Sequence, residues 1–162
     1  GKLVLPSHLK NGATMTGPKA FWWNATGANT SLSKALFFHA GAYDETFAAY
    51  GGEDPDLGWR LKQLGASFSF AEHAIAEHWD ERFEQTFLQK ATAAGKAHVN
   101  VWQKHGASEI AWALGVHPVL LRAKRFTLPL LKPVLGKRGD YEVAYMKGAL
   151  SALQKRDNLS SS

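Results

Sequence analysis

The 162-residue chain contains no cysteine. That excludes a disulfide scaffold, a thiolate zinc site and a cysteine nucleophile together, and it suits a reducing, cytoplasmic compartment. No uninterrupted apolar run reaches the roughly 18 residues that a membrane-spanning helix needs. No basic start leads into an apolar stretch, so no signal peptide is expected. The chain opens Gly1-Lys2-Leu3, without Met, and reads as a piece cut from a longer protein. Low complexity is confined to the tail Ser160-Ser161-Ser162, and there is no internal repeat. With 45% apolar and 20% charged residues, a disordered chain is excluded. The 12% aromatic content, with six Trp, can build a core.

Acids are the scarcer sign, 14 Asp and Glu against 19 Lys and Arg, and the shortage is local. Residues 1–80 hold 6 basic and 8 acidic residues; residues 81–162 hold 13 and 6. The two parts therefore read as separate, an acidic segment followed by a basic one.

Hydrophobic patterning gives a coarse organisation. Leu3-Val4-Leu5 and the aromatic run Ala20–Thr26 read as strands. Ser31 is the expected N-cap of a helix through Leu32, Leu36 and Phe37 that Gly41 closes. Asp54 is the expected N-cap of a second helix, with Pro55 at its first position, Leu57, Leu61 and Leu64 on one stripe, and Gly65 at its end. Ser67–Phe70 alternates like a strand, and His73–Trp79 reads as another. Beyond Glu81 the pattern turns helical, with Phe83, Phe87, Leu88 and Ala91 on one face. Further helices are expected near 108–115, 118–132 and 140–155, punctuated by Pro118, Pro129 and Pro133. The expected class is α/β with few strands, followed by a helical extension.

Three sequence elements between Gly27 and Trp79 carry chemistry. The first is the small-residue turn Gly27-Ala28-Asn29-Thr30-Ser31, where glycine permits close backbone approach to a ligand. The second joins Gly41-Ala42-Tyr43-Asp44-Glu45-Thr46-Phe47 to Tyr50-Gly51-Gly52-Glu53-Asp54-Pro55-Asp56-Leu57-Gly58-Trp59-Arg60-Leu61. The third is His78-Trp79. In this order and spacing, over roughly residues 20–80, they resemble the C-terminal half of inverting glycosyltransferases of the GT-A (Rossmann-like) fold. The resemblance is greatest to bacterial family 2 enzymes and the galactosyltransferase-like C-terminal segment.

The resemblance implies roles. Asp54 matches the catalytic base, and Glu53 lies beside it to contact the acceptor or orient the loop. His78 matches a ligand of the divalent metal, Mn²⁺ or Mg²⁺, that accompanies a nucleotide-sugar donor such as a UDP-sugar. Gly27, Asn29, Gly52, Trp79 and Arg60 are the implied substrate-binding residues. The implied acceptor is a glycan or a lipid-linked hydroxyl, as in polysaccharide biosynthesis. Chemistry agrees with this assignment. An attacking hydroxyl must lose a proton, which a carboxylate within hydrogen-bond reach can take. A departing nucleotide diphosphate needs its growing charge neutralised, which a hard cation can do. The nucleotide-binding half with its strand-end D-x-D motif is expected upstream and is missing here. Asp54-Pro55-Asp56 has that form but belongs to the acidic pair. Residues 1–80 are thus read as part of a catalytic domain and 81–162 as a basic, mainly helical extension.

Simpler readings stand beside these. Asp54 can be a helix cap, and Glu53 and Asp56 first-turn acids that favour the helix dipole. Arg60 can pair with a phosphate or with a nearby acid. His73 and His78, five apart on a strand, would face opposite sides and share no ion. The other five histidines receive no role. Trp22, Trp23, Trp59 and Trp79 can stack on sugars or pack a core. Residues 117–138 mix six Lys and Arg with nine large apolar residues. They form either an anionic-membrane-binding surface or a helical subdomain with a solvated basic face. No nucleic-acid-binding module is recognised, and no H-E-x-x-H spacing supports a metal hydrolase. The competing overall reading is a non-catalytic membrane-surface or protein-interaction module that retains a glycosyltransferase-like segment.

Overall fold

The computed structural model describes residues 19–47, 50–71, 73–74 and 83–160. The chain divides into two compact units, Gly1–Asp44 with Asp54–Trp79, and Glu45–Glu53 with Asp80–Ser162. The segment Glu45–Glu53 thus belongs with the second unit rather than with its sequence neighbours.

In the first unit, α1 spans Lys34–His39 and α2 begins with Glu53–Gln63, whose first residue falls in the second unit. Ser33, not Ser31, caps α1: its Oγ accepts the Leu36 N–H at 3.2 Å. Asp54 is not the cap of α2 but stands inside its first turn. Gly65 ends the helix as expected, at φ +80°, where the Ala66 N–H reaches back to the Leu61 carbonyl. The leucine stripe of α2 forms the core: Leu57 and Leu61 are buried with Ala40, and Leu36, Phe37 and Leu64 pack on them.

The strands expected in this part are absent among the described residues. Ala20–Thr26 instead contains a short 3₁₀ turn at Trp22–Asn24. The Asn24 side chain accepts the Phe21 N–H at 3.0 Å, and the Asn24 N–H donates to the Phe21 carbonyl at 2.9 Å. This local bonding competes with extension. Of Ser67–Phe70, only an antiparallel bridge between Ser69 and Lys19 remains. The described residues are mostly helical, and the expected α/β class is corrected to that extent. Leu3–Leu5 and residues 75–79 lie outside the described residues.

The second unit is built on α3 (Phe83–His105) and α6 (Lys137–Ser160), with the short α4 (Ser108–Ala113) and α5 (Pro118–Leu135) between them. Two glycines let α3 and α6 meet backbone to backbone. A Cβ on Gly95 would overlap the Tyr145 carbonyl, and one on Gly148 the Thr92 carbonyl. Val99, Ala111, Val116, Leu121, Leu128 and Ala149 fill the core around this contact. On α3, Ala91 is buried as its face predicts, whereas Leu88 points to solvent.

Pro118 opens α5 behind a His117 cap and Pro129 lies inside it, as the expected range 118–132 has it; the helix runs on past 132 and takes in Pro133 as well. Each removes a backbone donor. Arg125 and Pro129, whose carbonyls lose those donors, are exposed, so water can serve them. Gly136, at φ +53°, ends α5.

Candidate active site

In the first unit, three motif residues far apart in sequence converge. The Tyr43 hydroxyl donates to Asp54 Oδ1 across a long 3.3 Å. Gly27 sits against both: a Cβ there would stand 3.1 Å from Asp54 Oδ1 and 3.2 Å from Tyr43 Oη. Any larger side chain would displace the carboxylate. The glycine is therefore explained by close approach to Asp54, at a backbone angle other residues also adopt. Asp54 is partly accessible, so a solute hydroxyl can reach this point.

Behind it lies a clamp. Asp56 is fully buried and meets Arg60 one turn later, with Oδ2 at 2.7 Å from Nη2 and 2.9 Å from Nε. The same guanidinium donates to the Ala42 carbonyl at 2.7 Å and to the Ala40 carbonyl. Those carbonyls flank a turn whose Gly41 and Ala42 have φ of +87° and +55°. Arg60 thus holds the turn that carries Tyr43, with a neighbouring acid as its ionic partner. Asp56, expected as an ordinary first-turn acid, is the anchor of that clamp.

Asn29 Nδ2 donates to the Ala74 carbonyl at 2.7 Å, which ties its turn to the segment after α2. Trp22 is buried edge-on against Trp59, with ring centres 5.3 Å apart, so these two rings pack a core. Trp23 stacks on Phe21 at 4.5 Å. His78 and Trp79 lie outside the described residues.

Glu53 belongs to the second unit, where its Oε2 accepts the Gly51 N–H at 3.1 Å. A Cβ on Gly51, which has φ +100°, would stand 3.2 Å from Ala94 Cα on α3. Gly52 is buried beneath the Phe47 ring, which leaves no room for a side chain. From α3, the His98 ring hydrogen-bonds to the Gly51 backbone, and its Nδ1 lies 2.6 Å from Tyr145 Oη. Burial pulls the His98 pKa down to about 4, against the raising effects of that backbone bond and of the Glu53 charge. Burial also raises the Tyr145 phenol well above its ordinary value.

An open cleft of about 530 Å³ adjoins this loop, lined by Thr46, Phe47, Gln89, Thr92, Lys96 and Asn100 among others. Lys104 lies over the Phe47 ring at 5.2 Å.

Sequence reasoning gave no role to Tyr43 or His98. Tyr43 stands inside a recognised motif and could have been found there. His98 stands 45 residues after Glu53, with no local signal that it meets this loop.

No three of the described His, Asp and Glu residues cluster as a metal site. The described acids nearest the motif are engaged elsewhere: Asp56 by Arg60, Glu53 by Gly51, and Asp54 by Tyr43. The described residues therefore do not by themselves fit the expected divalent cation.

Comparison with known proteins supports the character of the first unit. A family model described as the N-terminal domain of galactosyltransferase matches residues 7–82. That description names an N-terminal domain and gives no support to the C-terminal half that the sequence resemblance implied. A chondroitin synthase of Escherichia coli is 37% identical over 71 residues, which cover 44% of this chain and 10% of that protein. The chain thus matches about a tenth of the length of that curated relative. No solved structure matches the chain. Residues 7–82 are a glycosyltransferase-like segment.

Proposed function

We propose that this chain is part of a glycosyltransferase that moves a sugar from a nucleotide-sugar donor to a glycan hydroxyl, with inversion. The convergence of Gly27, Tyr43 and Asp54 carries the reading. An accessible carboxylate, oriented by one phenol and fronted by a residue without a side chain, is what a general base needs to reach a bulky sugar hydroxyl. Tyr43 holds Oδ1, and Oδ2 takes the acceptor proton as the hydroxyl oxygen bonds to the anomeric carbon. The bond from that carbon to the nucleotide diphosphate breaks with its electron pair leaving on phosphate oxygen.

Glu53 shapes the loop rather than taking the proton, since its carboxylate is turned onto Gly51. Arg60 acts from behind through the Gly41–Ala42 turn. His78 remains the residue assigned to the metal; no step here is routed through one. A glycan polymer is the acceptor class most in keeping with the chondroitin synthase relative.

The test is Asp54→Asn in the full-length enzyme that contains this segment. Transfer is expected to fall on the order of 10²-fold or more, with donor affinity retained. Undiminished transfer by that variant would remove Asp54 as the base.

A further inference from the structure

The outer face of α5 carries exposed apolar residues beside exposed cations. Its inner face is satisfied: Leu121 and Leu128, two turns apart, are buried in the core of the second unit. On the opposite side, Val119, Phe126, Leu130 and Val134 are 54%, 75%, 79% and 87% exposed. Their spacing of seven, four and four residues sets them on one line along the helix. Ala123 and Pro133, also exposed, fall on the same line. This is a continuous apolar stripe with no covering element among the described residues.

The charges around it are sorted. Lys124 and Lys132 point back to α6, where Glu142 and Asp140 hold them at 2.8 and 2.9 Å. Arg122 flanks the stripe and Arg125 lies nearer the inner face, one turn from Leu121 and from Leu128; both are exposed, as is Arg138 just past the stripe's end. No acid occurs between Glu109 and Asp140. The surface facing outward therefore carries only positive charge beside its apolar ridge. A protein partner could cover the apolar ridge alone, but long cationic side chains along its flank complement a plane of phosphate headgroups. Among the described residues, no helix is long and apolar enough to cross a membrane.

We infer that α5 binds peripherally to anionic lipid bilayers, with Val119, Phe126, Leu130 and Val134 seated at the acyl boundary, Arg122 at lipid phosphates, and the exposed Arg125 adding electrostatic attraction from the side. The inference stands independently of the transferase reading.

The test is co-sedimentation of the full chain with vesicles of phosphatidylcholine alone and of phosphatidylcholine with one quarter phosphatidylglycerol. Binding is expected to the mixed vesicles only, and to weaken in high salt, which shortens the range over which the arginines attract phosphates. Phe126→Ser with Leu130→Ser, and separately Arg122→Gln with Arg125→Gln, should each weaken it roughly tenfold. All four positions are exposed, so circular dichroism should be unchanged. The inference is overturned if the wild-type chain ignores the anionic vesicles, or if both double variants bind as the wild type does. It is equally overturned if the chain forms a dimer that the Ser variants dissolve while lipid binding is absent, since the stripe would then join two copies.

Discussion

His98 Nδ1 and Tyr145 Oη stand 2.6 Å apart, and the same hydroxyl donates to the Leu114 carbonyl at 2.6 Å. Through His98 this chain of contacts reaches the backbone of Gly51, two residues before Glu53. The helical extension therefore supports the motif loop directly rather than trailing behind it.

Burial of the His98 ring makes stability depend on pH. The folded His98 titrates at about 4, an unfolded histidine near 6.5. Between these values the unfolded chain binds more protons, so this contribution is complete above about pH 6.5 and is lost as pH falls toward 4. The loss is on the order of 2–3 kcal/mol. Urea midpoints at pH 7 and pH 4.5 should differ in the wild type, and the difference should shrink in His98→Gln. A variant with the full wild-type difference would assign the effect to another group.

Gly27→Ala probes the front of the proposed base. The new methyl would press on Asp54 Oδ1 and Tyr43 Oη at 3.1 and 3.2 Å, and both side-chain ends would shift by tenths of an ångström. Gly27 is exposed, so the melting temperature should barely move. Transfer by the full-length enzyme should fall roughly tenfold, because small misplacements of reacting groups are costly. Unchanged transfer would separate Gly27 from the site.

Arg60 offers a graded test of the clamp. Arg60→Lys keeps a charge near Asp56 but loses the fork that reaches the Ala40 and Ala42 carbonyls, and should cost on the order of 1–3 kcal/mol. Arg60→Met also strips the cation from a fully buried carboxylate, and should cost on the order of 3–5 kcal/mol. Chemical denaturation of both variants should reproduce that order. Equal stability in the two would mean that the ion pair contributes nothing.

Gly148→Ala tests the contact between α3 and α6. Its Cβ would overlap the Thr92 backbone, which cannot rotate away as a side chain end can. The helices must separate, at a cost of roughly 1–3 kcal/mol. A thermal midpoint within error of the wild type would show that the helices have slack at this point.

Some of this was legible in advance. The Leu57, Leu61 and Leu64 stripe with Gly65 behind it announces α2, because helical period and a left-handed stop are local properties. The motif residues Gly27 and Asp54 were also readable, as was the mixture of cations and apolar residues along 117–138. Aromatic content alone points to a strand at Ala20–Thr26, but the Asn24 side chain bonds back to Phe21 and favours a turn there. Pro133 falls just past the expected helix end at 132 yet lies inside α5, because an exposed helix side can leave the freed carbonyls to water.

The sequence by itself determined helix period, caps and the placement of charge, since these depend on residues within a few positions of one another. Only the tertiary structure decided that Asp56 and Arg60 clamp the Tyr43 turn, that Gly27 fronts Asp54, and that His98 supports Gly51. It also decided which α5 cations are paired and which face outward. These relationships join residues up to 47 positions apart. They are set by how apolar faces pack, and no local pattern encodes which polar groups that packing brings within hydrogen-bond reach.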